Sequence, residues 1–319
     1  MNRLVIFAPN WLGDAVMALP AVADVRRASP GVTIAVLARP AVAELFGMVP
    51  EVDEVIDEKG VGSLFETALL LPNSFRSALL ARRAGIPERW GYRADCRGPL
   101  LTKAIDRAPA RIHQVESYQR LVRALGYPNG PGEPRITVTD EVRAAAARAL
   151  RDAGWDGAPI VACAPGAAYG GAKRWPPKYF AELARSLAGD GVRPVLVGSA
   201  ADAATGREIE SALADQPVVL NLIGRTGVPT LAGVLAIARA LVSNDSGAMH
   251  LGAAVGTPIT AVFGPTDERV TSPRSIARTE VLTHPAWCRP CGLRECPLDH
   301  RCMHGVRVDL VAASARRMR

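Results

Sequence analysis

A chain of 319 residues is too long for one ordinary hydrophobic core and implies two compact units, at the usual size of about 100–200 residues each. Hydrophobic residues make up 49% and charged residues 22%, which excludes a disordered chain and supplies material for both cores. The formal net charge is +7, and residues 75–123 alone hold eleven Arg or Lys against four Asp or Glu. So concentrated a basic surface attracts an anionic partner, a membrane surface or an acidic glycolipid. With no zinc-finger spacing and no interleaved aromatic residues, nucleic acid is not an expected partner.

Residues 1–8 form a short apolar run closed by Pro9, too short for a signal core or a membrane span, and no later run is long enough either. The expected location is the cytoplasm. Residues 4–8 read as a buried strand and residues 15–28, behind a Gly13-Asp14 turn, as a helix. Residues 33–37, 52–56 and 67–71 are further strands, spaced by turns and helical segments as in a parallel sheet. The Pro- and Gly-rich residues 127–134 cannot continue a helix or a central strand and lie near the inter-domain link. After a helix over 140–153 the alternation restarts, with strands at 160–164, 193–197, 240–243 and 259–263 and helices near 178–188, 229–238 and 246–255. The expected fold is α/β, two Rossmann-like domains over residues 1–155 and 156–319 that face a central cleft. A last basic run with Arg316, Arg317 and Arg319 is expected to pack back on the first domain or to fray.

In such folds ligands bind at the carboxyl ends of the strands, which directs attention to the loops after residues 8, 71, 164 and 243. The sequence has no GxGxxG, Walker lysine loop or GxSxG elbow. It also lacks an Asp-x-Asp pair of the kind that holds a divalent metal on a nucleotide sugar.

Three loops can carry chemistry. In Pro9-Asn10-Trp11-Leu12-Gly13-Asp14 the carboxylate sits at a helix start, where free N–H groups favour its charged form; it can accept a proton from an acceptor hydroxyl, or simply cap the helix. In Pro165-Gly166-Ala167-Ala168-Tyr169-Gly170-Gly171-Ala172-Lys173-Arg174-Trp175-Pro176 glycines let the backbone approach an anion, and Lys173 can offset charge growing on a departing diphosphate. In Asn244-Asp245-Ser246-Gly247-Ala248-Met249-His250 the N–H groups of an opening helix form an anion site, with Asp245 ordering the loop or binding a sugar hydroxyl. His250 is either a ligand group or a packed residue. Together these loops offer one base and one phosphate cradle.

These motifs, with Phe263-Gly264-Pro265-Thr266, resemble in order and spacing the family 9 glycosyltransferases, and the Lys-Arg-Trp-Pro loop and cysteine-bearing tail resemble the lipopolysaccharide heptosyltransferases among them. The resemblance implies a GT-B fold and inverting transfer of heptose from ADP-heptose to the heptose of the Kdo-lipid A inner core, with no cofactor required for the chemistry. It implies Asp14 and Lys173 as catalytic residues, and Ala168, Tyr169, Lys173, Thr226, Asp245, Ser246, Gly247 and His250 around the donor. The acceptor, an anionic lipid at the inner leaflet, would be met by Asn10, Arg76, Arg93 and Arg97, the protein being peripheral on the cytoplasmic membrane. Cys288, Cys291, Cys296 and Cys302 have compact spacing suited to a structural zinc or to reduced thiols. The residues alone leave three alternatives open: a family member with another acceptor position, a non-catalytic phosphosugar-binding protein, and a nucleotide-sugar epimerase.

Overall fold

The computed structural model describes residues 1–318, so Arg319 of the basic tail lies outside the described part. The chain forms two compact units, Met1–Thr137 and Val138 onward. The first contains β1 (Arg3–Phe7), α1 (Leu12–Ala28), β2 (Thr33–Leu37), α2 (Pro40–Phe46), β3 (Glu54–Ile56), β4 (Thr67–Leu70), α3 (Phe75–Arg83), β5 (Glu88–Tyr92), β6 (Lys103–Ile105) and α4 (Gln114–Ala124). Its sheet is parallel, in the order β3-β2-β1-β4-β5-β6. Leu4, Val5 and Ile6 of β1 and Leu69 and Leu70 of β4 are buried, as expected of central parallel strands covered on both faces. Each such side chain contributes about 1.5–3 kcal/mol by leaving water.

Asp24 on α1 is a fully buried carboxylate that accepts from Gln119 Nε2 of α4 (3.0 Å) and from the Gly130 N–H (2.9 Å), and pairs with Arg27. Fixed this way, the Pro- and Gly-rich segment folds back on its own unit instead of swinging as a free linker. A buried charge is tolerated only when it is satisfied as completely as this.

The second unit contains α5 (Asp140–Asp152), β7 (Ile160–Ala164), α6 (Pro177–Gly189), β8 (Arg193–Leu196), α7 (Ala203–Ala212), β9 (Leu220–Asn221), α8 (Val228–Ile237), β10 (Ala240–Asn244), α9 (Gly247–Val255), β11 (Ile259–Phe263), α10 (Glu268–Thr271), β12 (Thr279–Thr283), α11 (Arg301–His304) and α12 (Val308–Arg317). Its parallel sheet runs β12-β11-β10-β7-β8-β9. The division lies after Thr137 rather than after residue 155, because α5 packs on α8. Gly233 permits that packing: a Cβ there would stand 2.7 Å from Ala146 Cβ and from the Val142 carbonyl. The final helix α12 packs on α6, β10 and β11 of its own unit, burying Val311, Ala312 and Ala315. No helix among the described residues is long and apolar enough to cross a membrane.

Candidate functional site

In the second sheet β7 and β10 are neighbours, with Ser243 opposite Ala164, so the loops that leave their carboxyl ends start side by side. Asn244, fully buried at the end of β10, uses this proximity. Its Nδ2 donates to the Pro165 carbonyl (2.7 Å) and its Oδ1 accepts from the Trp175 N–H (3.1 Å), so one amide ties the start of the Gly-rich loop to its end. Trp175 anchors that end. Its ring is fully buried, donates through Nε1 to the Val306 carbonyl (2.9 Å) and stands edge-on to Phe180 at 5.0 Å.

Between these anchors Lys173 closes a short 3-10 turn, and its Nζ lies 2.6 Å from Asp245 Oδ2. The same oxygen accepts from Thr266 Oγ1 at 2.7 Å. Lys173 is only 12% exposed and Asp245 5%, so the pair is shielded from solvent and held in one orientation. Asp245 is thereby Lys173's partner, and a carboxylate in that place orients the ammonium instead of meeting an anion itself. Ser246 precedes α9 and Gly247 is its first residue, with no acidic side chain in the first turn. The positive end of the α9 dipole and Lys173 thus converge, an arrangement that favours an anion. Tyr169 is exposed, with its ring 4.9 Å from Lys173 Nζ, and Ala168 is exposed beside it. His250 is buried one turn into α9. Thr226 lies on the loop before α8, and its hydroxyl is buried without a hydrogen-bond partner.

In the first unit α1 begins at Leu12 with Trp11 as its flanking residue, so Asp14 is the third residue of the helix and not its cap. It is half-buried. Tyr118 of α4, which packs on α1, lies close enough that burial and then the Asp14 carboxylate push its phenol above the usual value. Beyond the carboxyl ends of β1 and β2 opens a cavity of about 310 Å³ lined by Asn10, Arg39, Lys59, Arg76 and Ser77 together with apolar Phe7 and Leu37. Asn10 and Arg76 were expected at an acceptor site. Arg39 and Lys59 were not singled out, since a surface cation on a loop carries no signal in sequence until the strand order shows which loops meet.

Two other acceptor candidates are placed differently. Arg97 is fully buried: it donates to the Tyr92 carbonyl (2.9 Å), the Pro72 carbonyl and Ser77 Oγ (3.1 Å), and burial pushes its guanidinium down to about 10. It fastens the loop after β4 to the turn after β5, which corrects its reading as an acceptor contact. Arg93 is exposed, 3.9 Å from Asp106, and does not line the cavity. The cysteine tail also departs from expectation. Cys288, Cys291, Cys296 and Cys302 are free thiols bordering one small pocket of about 20 Å³, and among the described residues no group of three or more His, Cys, Asp or Glu is placed to hold a metal. The zinc expectation therefore has no support in the geometry.

Comparison with known proteins places these features in a family. The family model for glycosyltransferase family 9 (heptosyltransferase) matches residues 59–301. The chain is 31% identical to lipopolysaccharide heptosyltransferase 2 of Escherichia coli K12 and 32% identical to that of Salmonella typhimurium, each over 86% of both chains. Among solved structures it is similar to E. coli ADP-heptose LPS heptosyltransferase II, with a TM-score of 0.85 and 30% identity over 100% of this chain and 98% of that one. Its paired parallel α/β units are those of the GT-B glycosyltransferases, and the chain belongs to glycosyltransferase family 9, the heptosyltransferases.

Proposed function

We propose that the chain transfers L-glycero-D-manno-heptose from ADP-heptose to the heptose of the Kdo-lipid A inner core, with inversion at the anomeric carbon. The observation that carries this reading is the Lys173–Asp245–Thr266 cluster beside the start of α9, which holds a shielded ammonium in one orientation where a departing diphosphate could meet it and the helix N–H groups. The relatives named above supply the sugar and the acceptor class.

In this mechanism Asp14 takes the proton of the acceptor hydroxyl as that oxygen bonds to the anomeric carbon. The bond from that carbon to the diphosphate oxygen breaks, and its electron pair leaves with ADP. Lys173 and the N–H groups of Ser246, Gly247 and Ala248 meet the negative charge that grows there, a contribution of about 3–4 kcal/mol for one well-placed donor in a shielded site. Asp245 keeps the ammonium aimed without the cost of ordering it during reaction. Thr226, with its unpartnered buried hydroxyl, is assigned to the adenosine side of the donor, and Ala168 and Tyr169 to the outer wall of the donor loop.

The acceptor reading rests on the first-unit cavity. Arg39, Lys59 and Arg76 line it above an apolar floor together with the carboxylates of Asp57 and Glu58, the latter paired with Arg76, so a small cationic excess and several polar groups face a sugar that carries anionic substituents. The same basic face would hold the protein peripherally at the inner leaflet of the cytoplasmic membrane. The test is ADP release by the purified protein with ADP-heptose, ADP-glucose or UDP-glucose, each with and without a heptose-bearing Kdo-lipid A acceptor. Release that requires both ADP-heptose and the acceptor, with a product heavier by one heptose, is expected. Conversion of the donor to an isomeric nucleotide sugar without acceptor and without ADP release, read by chromatography of the nucleotide sugars, would point to the epimerase alternative, and no change in any donor to the binding-protein alternative.

A further inference from the structure

The cysteine-bearing segment between β12 and α11 has no regular structure of its own, yet it is bound both to the Gly-rich donor loop and to the loop after β11. Toward the Gly-rich loop, Glu295 Oε1 accepts from the Gly171 N–H (2.9 Å), the Arg294 carbonyl accepts from the Ala172 N–H (2.9 Å), and Tyr169 donates its hydroxyl to the Gly292 carbonyl (2.8 Å). Toward the loop after β11, the Gly292 N–H donates to the Pro265 carbonyl (2.8 Å) and Arg289 Nε to the Gly264 carbonyl (2.7 Å). Arg289 also pairs with Glu268 at 2.7 Å and is mostly buried. The small pocket bordered by the four cysteines includes Ala172 and Pro265, one residue from each of those loops.

The contacts close a ring. Lys173 is held by Asp245, Asp245 by Thr266, Thr266 by the backbone of the loop that Arg289 grips, and Glu295 returns to the Gly171 N–H, two residues before Lys173. The glycines of the donor loop fit this ring. A Cβ built at Gly170 would overlap the Arg294 carbonyl, and one at Gly171 would stand 2.6 Å from Glu295 Oε2. At Gly170 glycine is needed for the approach of the segment 289–295, whether or not a phosphate also comes close, whereas at Gly171 the flexible end of Glu295 can give way.

We propose that residues 289–295 form a strap that sets the shape of the donor loop, with Glu295 and Arg289 as positioning residues for Lys173. The inference rests on the reading of Lys173 as the cation that faces the donor diphosphate. Neither residue touches the reacting atoms; the strap acts by fixing the turn that presents the ammonium.

The experiment is steady-state kinetics of heptosyl transfer for the wild type, Glu295→Ala, Glu295→Gln and Lys173→Ala, with donor and acceptor varied separately. Glu295 is exposed, so its variants are expected to fold. Loss of a charge-assisted hydrogen bond at an exposed site should raise the donor KM of Glu295→Ala about three- to tenfold, with the acceptor KM unchanged. Glu295→Gln, whose amide oxygen can still accept from Gly171, should recover most of that loss. An unchanged donor KM in Glu295→Ala, beside a strong effect of Lys173→Ala, would overturn the strap alone. Equal failure of the Gln and Ala variants would also overturn it. A neutral Lys173→Ala would overturn the donor-site reading itself, and the strap's purpose with it.

Discussion

The two candidate subsites are built in opposite ways. In the second unit the polar groups are shielded and already paired: Lys173 with Asp245, Asp245 with Thr266, and Asn244 with both ends of the Gly-rich loop. In the first unit the cations around the cavity are exposed, and Arg76 meets Glu58 at 2.9 Å with side chains 68% and 52% open to solvent. Paired groups in a shielded place are pre-organised and bind one charge pattern in one geometry. Exposed cations on long side chains can adapt to more than one arrangement of anionic groups, and each is worth less.

The largest effect expected from this contrast concerns stability. Asn244→Ala leaves the Trp175 N–H and the Pro165 carbonyl buried without partners and should lower unfolding stability by about 2–4 kcal/mol in a urea titration. Arg97→Ala should cost a similar amount in the first unit while leaving the acceptor KM of the folded fraction unchanged. Asn10→Ala, at an exposed rim position, should stay within about 0.5 kcal/mol of the wild type. An acceptor KM that rises in Arg97→Ala without loss of stability would return Arg97 to the acceptor site.

Next in size is the kinetic contrast between the subsites. Lys173→Ala should reduce kcat/KM for the donor about 10²–10³-fold. Lys59→Ala or Arg39→Ala should raise only the acceptor KM, about two- to fivefold each. Salt should separate the same two sites more gently. Raising ionic strength from about 0.05 to 0.3 M should weaken acceptor binding several-fold and donor binding less, because exposed charges are screened and the shielded Lys173–Asp245 pair is not. Equal salt sensitivity for both substrates would erase the distinction.

The smallest effect is chemical. Burial and then the neighbouring Cys288, Cys296 and Cys291 raise the Cys302 thiol above its ordinary value, so at neutral pH it stays protonated. Cys302 should react with iodoacetamide far more slowly than exposed Cys96 and Cys291, and should begin to react only as pH rises beyond the usual thiol range. Equal labelling of the three at neutral pH would show that α11 does not pack on the second core as described.

The strands that position the donor and base loops were legible because they are central. β7 and β11 are apolar along nearly their whole length, β1 is apolar after Arg3, and β10 opens with the apolar run Ala240-Leu241-Val242; covered parallel strands leave that mark. β6, β9 and β12 at the sheet edges, and β5 beside one of them, went unread because half-exposed strands such as Lys103–Ile105 and Thr279–Thr283 carry mixed residues. The site divides in the same way. Asp14, Lys173 and the Asp245-Ser246-Gly247 turn stand out as punctuation after apolar runs. That Arg97 is buried, that Asp245 faces a lysine, and that Gly170 abuts Arg294 depend on segments distant in sequence, which no local pattern reports.

The central claim is a division of labour, proton removal by Asp14 in the first unit and donor charge held by Lys173 in the second. Its most direct test is calorimetric binding of ADP-heptose together with acceptor-dependent ADP release, measured for Asp14→Asn and Lys173→Ala. Asp14→Asn should bind donor as the wild type does yet lose turnover by at least about 10²-fold, while Lys173→Ala should lose donor affinity as well. Full turnover by Asp14→Asn, or undiminished donor binding and turnover by Lys173→Ala, would contradict that division.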